Sequence, residues 1–399
     1  MADVYHALGL HMHQPLGDLI ALHNSPERWE AKQILWCYDR PTRMLEGYGD
    51  VARLHLSFSG TLLKQLEDPA VRETFHDVVV EDFLTRYRRA NIEYLGSGLH
   101  HTVYPLIPPA DWEAQTEWWL GLGRHLLGRE QFAGFWPPEM GFCMEMIPTL
   151  ARHGYRYVIV DCCYIKPKRP MRWEELRYRP YLARYDGAEI VIVPRDRELS
   201  NAQLSGLDPG WFQYEVQQRT KFCDFPALVT TWTDGENGGW FRAACIDSGF
   251  WGFFYRPILN RYRAGTLGFT PVQISEFLRK CPPTEEVEVH SGAWNTEHHC
   301  GSDFTQWTGS LLQKKGWDEI RNASCYYQQA KRAFDQCRQL NGDREDVRHL
   351  IARAYDHILT AETSCNFYWS SRWVHRSFDD IEQAYHLLDT AMSKMENTQ

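Results

Sequence analysis

Tyr155-Arg156-Tyr157-Val158-Ile159-Val160-Asp161 is a largely apolar run that ends in an acid. Such a run is typical of a strand covered on both faces, and two-sided burial is characteristic of parallel sheets. The same pattern recurs along the chain, because strand-like runs end in polar or acidic residues and helical stretches connect them. About seven strand candidates can be counted, at residues 4–10, 51–60, 91–95, 155–161, 188–194, 226–233 and 286–290.

This repetition predicts an α/β barrel, a fold that builds its site from the loops at one face. An open doubly wound sheet would also collect loops at its strand ends, but the number of strands favours the barrel. After Gly309 the sequence pattern changes. Three helical patterns follow without a strand between them, at residues 310–339, 344–364 and 379–395. We therefore predict a catalytic barrel at residues 1–295 and an α-helical C-terminal domain at residues 296–399, packed on the barrel.

Composition narrows the class of partner. The net charge of -9 and the lack of a Lys/Arg-rich run argue against nucleic acid or an anionic membrane, so we expect a neutral substrate. No segment approaches the roughly 20 apolar residues of a membrane span, and residues 1–6 lack a secretory pattern, so we expect a cytoplasmic protein. Eleven cysteines without a CxxC pair fit reduced thiols. The 16 tryptophans suit a cleft that stacks on sugar faces.

The segment Phe135–Phe142 contains the first candidate catalyst. Pro137 and Pro138 restrict the backbone, so Glu139 stands at the end of a stiff, non-helical segment. Large apolar side chains flank it, and such surroundings alter the proton affinity of a carboxylate and can stack on a sugar ring. The alternative is a turn whose glutamate points into water.

Asp234 is the second candidate acid, since it also follows a strand-like run that contains tryptophan. If Glu139 and Asp234 lie at one barrel face, they can approach within the roughly 5 to 5.5 Å that separates the two carboxyl groups of a retaining glycosidase. One would attack the anomeric carbon and the other would protonate the leaving oxygen. Asp234 can instead serve as the acceptor of an Asp-Gly turn, and Glu236 competes for the acid/base role.

Histidines follow two of the strand candidates. Alternation places His11 and His13 on the same side of the first strand, and two imidazoles at this spacing plus a distant aspartate can hold Zn²⁺. Hydrogen-bonded structural histidines are the alternative. The glycines of Gly96–Pro108 match no phosphate-binding pattern, so this segment is interpreted as a loop that presents His100 and His101 at a strand end.

These motifs together resemble those of glycoside hydrolase family 57, whose members act on α-glucans. His13-Gln14-Pro15 matches the first family motif and Gly96–Pro108 resembles the second, while Phe135–Phe142 is similar to the third. Asp234-Gly235-Glu236 is similar to the fourth, and Gly292–Gly309 loosely resembles the fifth. The matches occur in order over about the first three quarters of the chain.

The resemblance implies an incomplete seven-stranded (β/α)7 barrel followed by a C-terminal helical bundle. It assigns Glu139 as the nucleophile and Asp234 as the acid/base, with no catalytic metal and no cofactor, and makes His13 a hydrogen-bond partner for a glucose hydroxyl. Trp369 and Trp373 of the helical region can also reach the cleft. The predicted substrate-binding residues are His13, Gln14, His101, Trp136, Asp196, Trp232, Glu236, Trp240, Trp294, His299, Asp303 and Trp307.

Three functions remain open from the sequence. The first is a retaining glycoside hydrolase or transglycosylase that acts on α-1,4-glucans or maltooligosaccharides by double displacement through a covalent glycosyl-enzyme intermediate. The second is a metal-dependent hydrolase or deacetylase that uses His11, His13 and Asp234. The third is a non-catalytic carbohydrate-binding protein with an aromatic cleft, against which the presence of both candidate acids argues.

Overall fold

The computed structural model describes residues 3–78, 83–294, 304–341 and 344–396. Its strands are β1 (Val4–Met12), β2 (Leu54–Phe58), β3 (Ile92–Gly96), β4 (Gly134–Phe135), β5 (Tyr157–Asp161), β6 (Ile165–Pro167), β7 (Tyr181–Tyr185), β8 (Ala188–Arg195), β9 (Ala227–Asp234), β10 (Thr270–Pro271) and β11 (Val287–Val289).

Helices separate most of these strands. They are α1 (Asp18–His23), α2 (Arg28–Met44), α3 (Gly60–Glu67), α4 (Pro69–Thr74), α5 (Phe83–Arg89), α6 (Pro109–Leu127), α7 (Ile147–Arg152), α8 (Trp173–Tyr178), α9 (Arg197–Ser205), α10 (Pro209–Thr220), α11 (Arg256–Arg263), α12 (Ile274–Lys280), α13 (Thr305–Thr308), α14 (Leu311–Asn341), α15 (Glu345–Ala361), α16 (Ser364–Tyr368) and α17 (Ser371–Glu396). Among the residues described, no helix is both long and apolar enough to cross a membrane.

Seven strands form the predicted barrel. They are hydrogen-bonded in parallel in the order β9, β1, β2, β3, β4, β5, β8. The ends of this row meet through a hydrogen bond from the Asp196 N–H to the Thr230 carbonyl (2.9 Å). The strands carry runs of buried residues because helices cover the outside of the barrel and side chains fill its interior. The structure therefore confirms the predicted barrel, followed by a helical region.

One barrel strand differs from the sequence count. Residues 286–290 do contain a strand, but β11 pairs antiparallel with β6 in a separate two-stranded sheet. Its place in the barrel is taken by β4, which is only two residues long and therefore has no apolar run to recognise. Gly134 of β4 allows close packing, because a Cβ at this position would lie 2.2 Å from the Tyr157 ring.

The C-terminal region consists mainly of the three long helices α14, α15 and α17, which pack on one another. Buried residues at helical spacing, such as Val347, Ile351 and Ile358 of α15, form their shared core. The short helix α16 follows α15 and reaches the mouth of the barrel. There Thr363 forms a β-bridge with Thr102, so the helical region continues directly into the barrel's strand-end loops.

Candidate active site

The candidate site lies at the carboxyl ends of the barrel strands. Parallel pairing places His11 on β1 opposite Ser57 on β2 and opposite Asp234 on β9. The loops after β3 and β4 bring His101 and Glu139 to the same end. Residues that are far apart in sequence therefore converge because parallel strands all finish at one face.

The loop that carries Glu139 is fixed by its backbone. Pro138–Met140 forms one 3-10 turn, in which the Met140 N–H donates to the Pro137 carbonyl (2.8 Å). Glu139 itself has a φ of 55°, in the left-handed region that L-residues seldom adopt outside functional sites. The Trp294 N–H donates to the Glu139 carbonyl (2.9 Å) and holds this strained conformation. The Glu139 side chain lines the cavity at this end of the barrel.

Two donors hold the Glu139 carboxylate. Ser364 Oγ donates to Oε1 (2.9 Å) and Trp294 Nε1 donates to Oε2 (2.6 Å). Burial raises the pKa of Glu139 to about 7, the two hydrogen bonds oppose that rise, and the charge of Asp234 adds to it. The carboxyl group is thus oriented, largely shielded from water and able to change protonation near neutral pH.

Asp234, at the end of β9, lines the same cavity. Asn237 Nδ2 donates to its Oδ2 (2.8 Å). Burial raises the pKa of Asp234 to about 6, against the effects of Asn237 and of the Arg195 guanidinium. Glu236, the competing candidate, is 3% exposed, and burial followed by the charge of Asp234 raises its pKa well above the usual range. Burial therefore favours the protonated form of Glu236.

A chain of hydrogen bonds leads from β2 to Glu139. Ser57 Oγ hydrogen-bonds to His11 Nδ1 (2.8 Å), His11 Nε2 to His101 Nε2 (2.8 Å), and His101 Nδ1 to Ser364 Oγ (2.9 Å). If Ser364 donates to Glu139, one set of tautomers satisfies every bond, with His101 donating from Nδ1 and His11 from Nε2. Burial lowers the pKa of His11 to about 3 and that of His101 well below its usual range, so both rings are neutral.

His13 completes a cluster of imidazoles whose nitrogen atoms lie within 4.8 Å of one another. This cluster consists of His11, His13 and His101. It contains the two histidines that the metal hypothesis requires, but it does not include the third proposed ligand, Asp234. The rings of His13 and His101 stack face to face with centroids 3.5 Å apart. A metal lies close to the plane of an imidazole that binds it, so parallel stacked rings cannot share one ion without rotating. The geometry instead fits hydrogen-bonding imidazoles.

The cavity has a volume of about 190 Å³. Six of the predicted site residues meet in it, and Trp369 reaches it as well, whereas Trp373 lines a neighbouring cleft. Sequence reasoning missed Asn237, Gln306, Cys365 and Tyr368, although the last directly precedes Trp369. The lining residues are His11, His13, His101, Glu139, Asp234, Glu236, Asn237, Trp294, Gln306, Cys365, Tyr368 and Trp369.

Two tryptophans predicted to bind substrate lie beneath the cavity. Trp136 and Trp232 are fully buried and stack on each other with centroids 4.9 Å apart. A Cβ at Gly9 would lie 2.0 Å from the Trp232 ring, so the chain leaves space for this ring inside the barrel. Neither ring offers a face to a sugar, because Trp136 packs under His11 and Trp232 packs on Trp136.

Other predicted ligands also have structural partners. Asp196 is fully buried, caps α9 by accepting from the Leu199 N–H (2.9 Å), and accepts from the Tyr178 hydroxyl (2.7 Å). Trp307 is buried in the helical region. These two residues do not line the cavity, and neither do Gln14 or Trp240. His299 and Asp303 lie outside the described residues.

A parallel barrel that gathers two buried acids at its strand ends is an architecture used by glycoside hydrolases. The sequence matches the model of glycosyl hydrolase family 57 over residues 7–290, and the chain belongs to this family.

Relatives in this family differ in their reactions. Alpha-amylase 1 of Dictyoglomus thermophilum is 21% identical over 306 residues, which cover 73% of this chain and 40% of the relative. The 4-alpha-glucanotransferase of Thermococcus litoralis is 26% identical over 205 residues, covering 50% of this chain and 28% of the relative. This chain therefore matches less than half the length of either enzyme.

Solved structures match along nearly the whole chain. A family 57 branching enzyme from Thermococcus kodakaraensis superposes with a TM-score of 0.73 at 14% identity, covering 98% of this chain and 94% of the other. At this identity the likeness shows the fold alone. The helical region after the barrel is thus part of the shared fold.

Proposed function

We propose that the protein is a retaining enzyme that hydrolyses or transfers α-1,4-linked glucosyl units. The observation that carries this proposal is the placement of Glu139 and Asp234 in one small cavity, where burial raises the pKa of each. Two carboxyl groups with different hydrogen-bond partners, at one face of a barrel, supply the nucleophile and the acid/base of a double displacement.

The protonation of the pair decides the roles. The pKa values of about 7 for Glu139 and about 6 for Asp234 overlap, so near neutral pH the two interacting groups share a single proton. Even with its two donors the higher value belongs to Glu139 in the free site, but the segment Phe135–Phe142 is similar to the family motif that carries the nucleophile, and Asp234-Gly235-Glu236 is similar to the motif that carries the acid/base. We therefore assign the proton to Asp234 when substrate is bound and the nucleophilic charge to Glu139.

The reaction then follows in two steps. Glu139 attacks the anomeric carbon while Asp234 gives its proton to the leaving glycosidic oxygen, which forms a glycosyl ester on Glu139. Asp234, now ionised, takes a proton from water or from a sugar hydroxyl, and that oxygen displaces Glu139. His13 can hydrogen-bond a sugar hydroxyl through Nε2 in place of its contact with Cys365 Sγ (3.2 Å), whereas both nitrogens of His101 already hydrogen-bond to His11 and Ser364.

The names of the relatives support an α-glucan as substrate. One is an amylase and another a glucanotransferase, and these activities differ only in the acceptor that resolves the intermediate. In this chain Tyr368 and Trp369 form the outer wall of the cavity and are 49% and 60% exposed. Exposed rings at this position would stack on the sugar beyond the cleaved bond.

A cytoplasmic location accompanies this proposal. All ten cysteines that the structure describes are free, which suits a reducing compartment. The net charge of -9 continues to favour a neutral glucan over nucleic acid.

Product analysis on amylose and maltoheptaose tests the function. Shorter maltooligosaccharides indicate hydrolysis, a ladder of longer and shorter chains indicates transfer, and new branch points indicate branching. Glu139→Gln should abolish each of these, whereas Glu145→Gln, at an exposed position six residues away, should not. Full activity of Glu139→Gln, or glucan binding without turnover by the parent, would contradict the proposal.

A further inference from the structure

A second pair of buried acids joins the barrel to the helical region. Asp111 lies at the start of α6 and Glu362 directly follows α15, and neither side chain has any exposed surface. The two carboxyl groups shift each other's pKa, and Asp111 Oδ2 and Glu362 Oε1 are buried without a donor from the described residues, so a proton shared by these two oxygens would join the pair. The Tyr355 hydroxyl donates to Asp111 Oδ1 (2.9 Å), and Gln115 Nε2 donates to Glu362 Oε2 (2.7 Å). The mechanism proposed above uses neither acid.

One of these acids must carry a proton, because two carboxylates in direct contact away from water would repel each other. No Lys or Arg of the described residues forms an ion pair with either group. Asp111 accepts from the Tyr355 hydroxyl, which favours its ionised form, while burial and the charge of Asp111 raise the pKa of Glu362 well above its usual range, so the proton belongs to Glu362. The other groups that face the pair are uncharged: Gln115 of α6, Ser324 and Tyr327 of α14, Tyr355 of α15, and Tyr104 of the preceding turn.

Gln115 connects this pair to the histidine loop. Its Nε2 donates to Glu362 and to the Leu359 carbonyl (3.0 Å), while its Oε1 accepts from the His100 N–H (3.0 Å). Its own carbonyl accepts from the Leu99 N–H (3.0 Å). One buried amide therefore ties the loop that carries His101 to the last turn of α15.

The residues after Glu362 lead into the cavity wall. Thr363 bridges to Thr102, and the Ser364 N–H donates to the His101 carbonyl (3.1 Å). These backbone contacts direct Ser364 Oγ to Glu139 Oε1 at 2.9 Å. The position of the serine hydroxyl thus depends on where the chain leaves Glu362.

We propose that Glu362, protonated and held between Asp111 and Gln115, is a positioning residue that places the hydroxyl of Ser364 on the carboxylate of Glu139. This inference rests on the proposed function of Glu139 as the nucleophile. Glu362 lies outside the cavity and touches no reacting atom, so it acts only through the Glu362–Ser364 segment.

The first test compares two substitutions of Glu362. Glu362→Gln keeps the shape and both hydrogen bonds, since its amide can donate to Asp111 and accept from Gln115, so kcat should stay within about 2-fold of the parent. Glu362→Ala removes both bonds, and kcat should fall about 10-fold with little change in KM.

The pH profile separates positioning from general damage. The Ser364 hydrogen bond lowers the pKa of Glu139, and the nucleophile must be ionised. If Glu362→Ala displaces Ser364, the acidic limb of kcat/KM should move up by about one pH unit. Ser364→Ala should give the same shift, and the double variant should show no further shift. A limb that moves in Ser364→Ala but not in Glu362→Ala would overturn the proposal, as would a Glu362→Gln variant that behaves like Glu362→Ala.

A stability measurement keeps the proposal testable if Glu362→Ala does not fold. A buried acid whose folded pKa is raised loses stability as the pH rises above the unfolded value of about 4.5, whereas Gln has no proton to lose. The melting temperature of Glu362→Gln should therefore increase relative to that of the parent as the pH rises from 5 to 9. A difference in melting temperature that stays constant with pH would show that the pKa of Glu362 is not raised, and it would overturn the proposed protonated pair. An inactive parent would contradict the proposed function, while this comparison would still test the pair.

Discussion

Among the described residues, the pairs Glu139–Asp234 and Asp111–Glu362 are both buried acids with raised pKa values, and they differ in their access to a ligand. Glu139 and Asp234 line a cavity, and Ser364, Trp294 and Asn237 donate hydrogen bonds to them. Asp111 and Glu362 are completely enclosed, and each accepts a hydrogen bond from a buried neighbour, Tyr355 and Gln115 respectively. A raised pKa thus reflects burial in both pairs. Only the pair that lines a cavity, Glu139 and Asp234, can contact a substrate and take part in a reaction.

The largest expected effect separates the pairs by activity. Asp234→Asn should lower kcat/KM on glucans by about 10³-fold, since it removes the general acid. A nitrophenyl maltooligosaccharide has a leaving group that needs no proton. On this substrate the decrease in the rate of the first step should be much smaller. Steady-state kinetics on both substrates check this, with the exposed Asp247→Asn as the control. Equal losses on both substrates would contradict the acid role.

Asp111 should respond in the opposite way, through stability. Asp111→Ala leaves the Tyr355 hydroxyl and the Glu362 carboxyl without their partner in a dry site, so the free energy of unfolding should fall by about 3 kcal/mol. Urea unfolding at pH 7 measures the change. Asp234→Asn should cost far less stability, and if the two variants were equally unstable, the distinction between the pairs would fail.

The cavity pair should also cost stability at high pH. The pKa of Glu139 rises from 4.5 to about 7 on folding, so its ionisation destabilises the folded state increasingly as the pH passes through this range. Between pH 5 and pH 8, the free energy of unfolding of Glu139→Gln should therefore rise by about 2 kcal/mol relative to that of the parent. Thermal melts across that range test the sign, and a gain that appeared on acidification instead would refute it.

The smallest effect concerns the outer wall. Trp369→Ala should raise KM for maltoheptaose about 2- to 10-fold with little change in kcat, since a stacking ring contributes about 0.5–1.5 kcal/mol of binding. Trp211→Ala removes a similarly exposed ring on α10 and serves as the matched control. If both variants raised KM alike, Trp369 would have no special role in the site.

The strand-end rule explains which parts of the site could be predicted. Asp234 could be predicted because it follows a recognisable strand and parallel strands finish together, whereas Glu139 was indicated by the two prolines that precede it. The same rule misassigned Trp232. This residue lies two positions before Asp234 on the same face of the strand, but it is one layer deeper, inside the barrel. Spacing along a strand identifies a face without indicating depth.

Ser364 shows what sequence reasoning could not reach. It lies at the start of a short helix far from any strand, and serine at a helix start is usually a cap. Its contact with Glu139 arises only when the helical region docks on the barrel. Likewise, β4 was missed because two residues are too few to form a pattern, and the neighbouring strands determine its conformation.

The contact between Ser364 and Glu139 spans 225 positions of the chain, and this has a consequence during synthesis. At translation rates of about 5–20 residues per second, roughly 10 to 45 s separate the appearance of the two residues. The barrel can start to fold in that interval, yet Glu139 then lacks one of its two donors. A growing chain on the ribosome would therefore hold an immature nucleophile, and maturation would wait until α15 and α16 have emerged and docked.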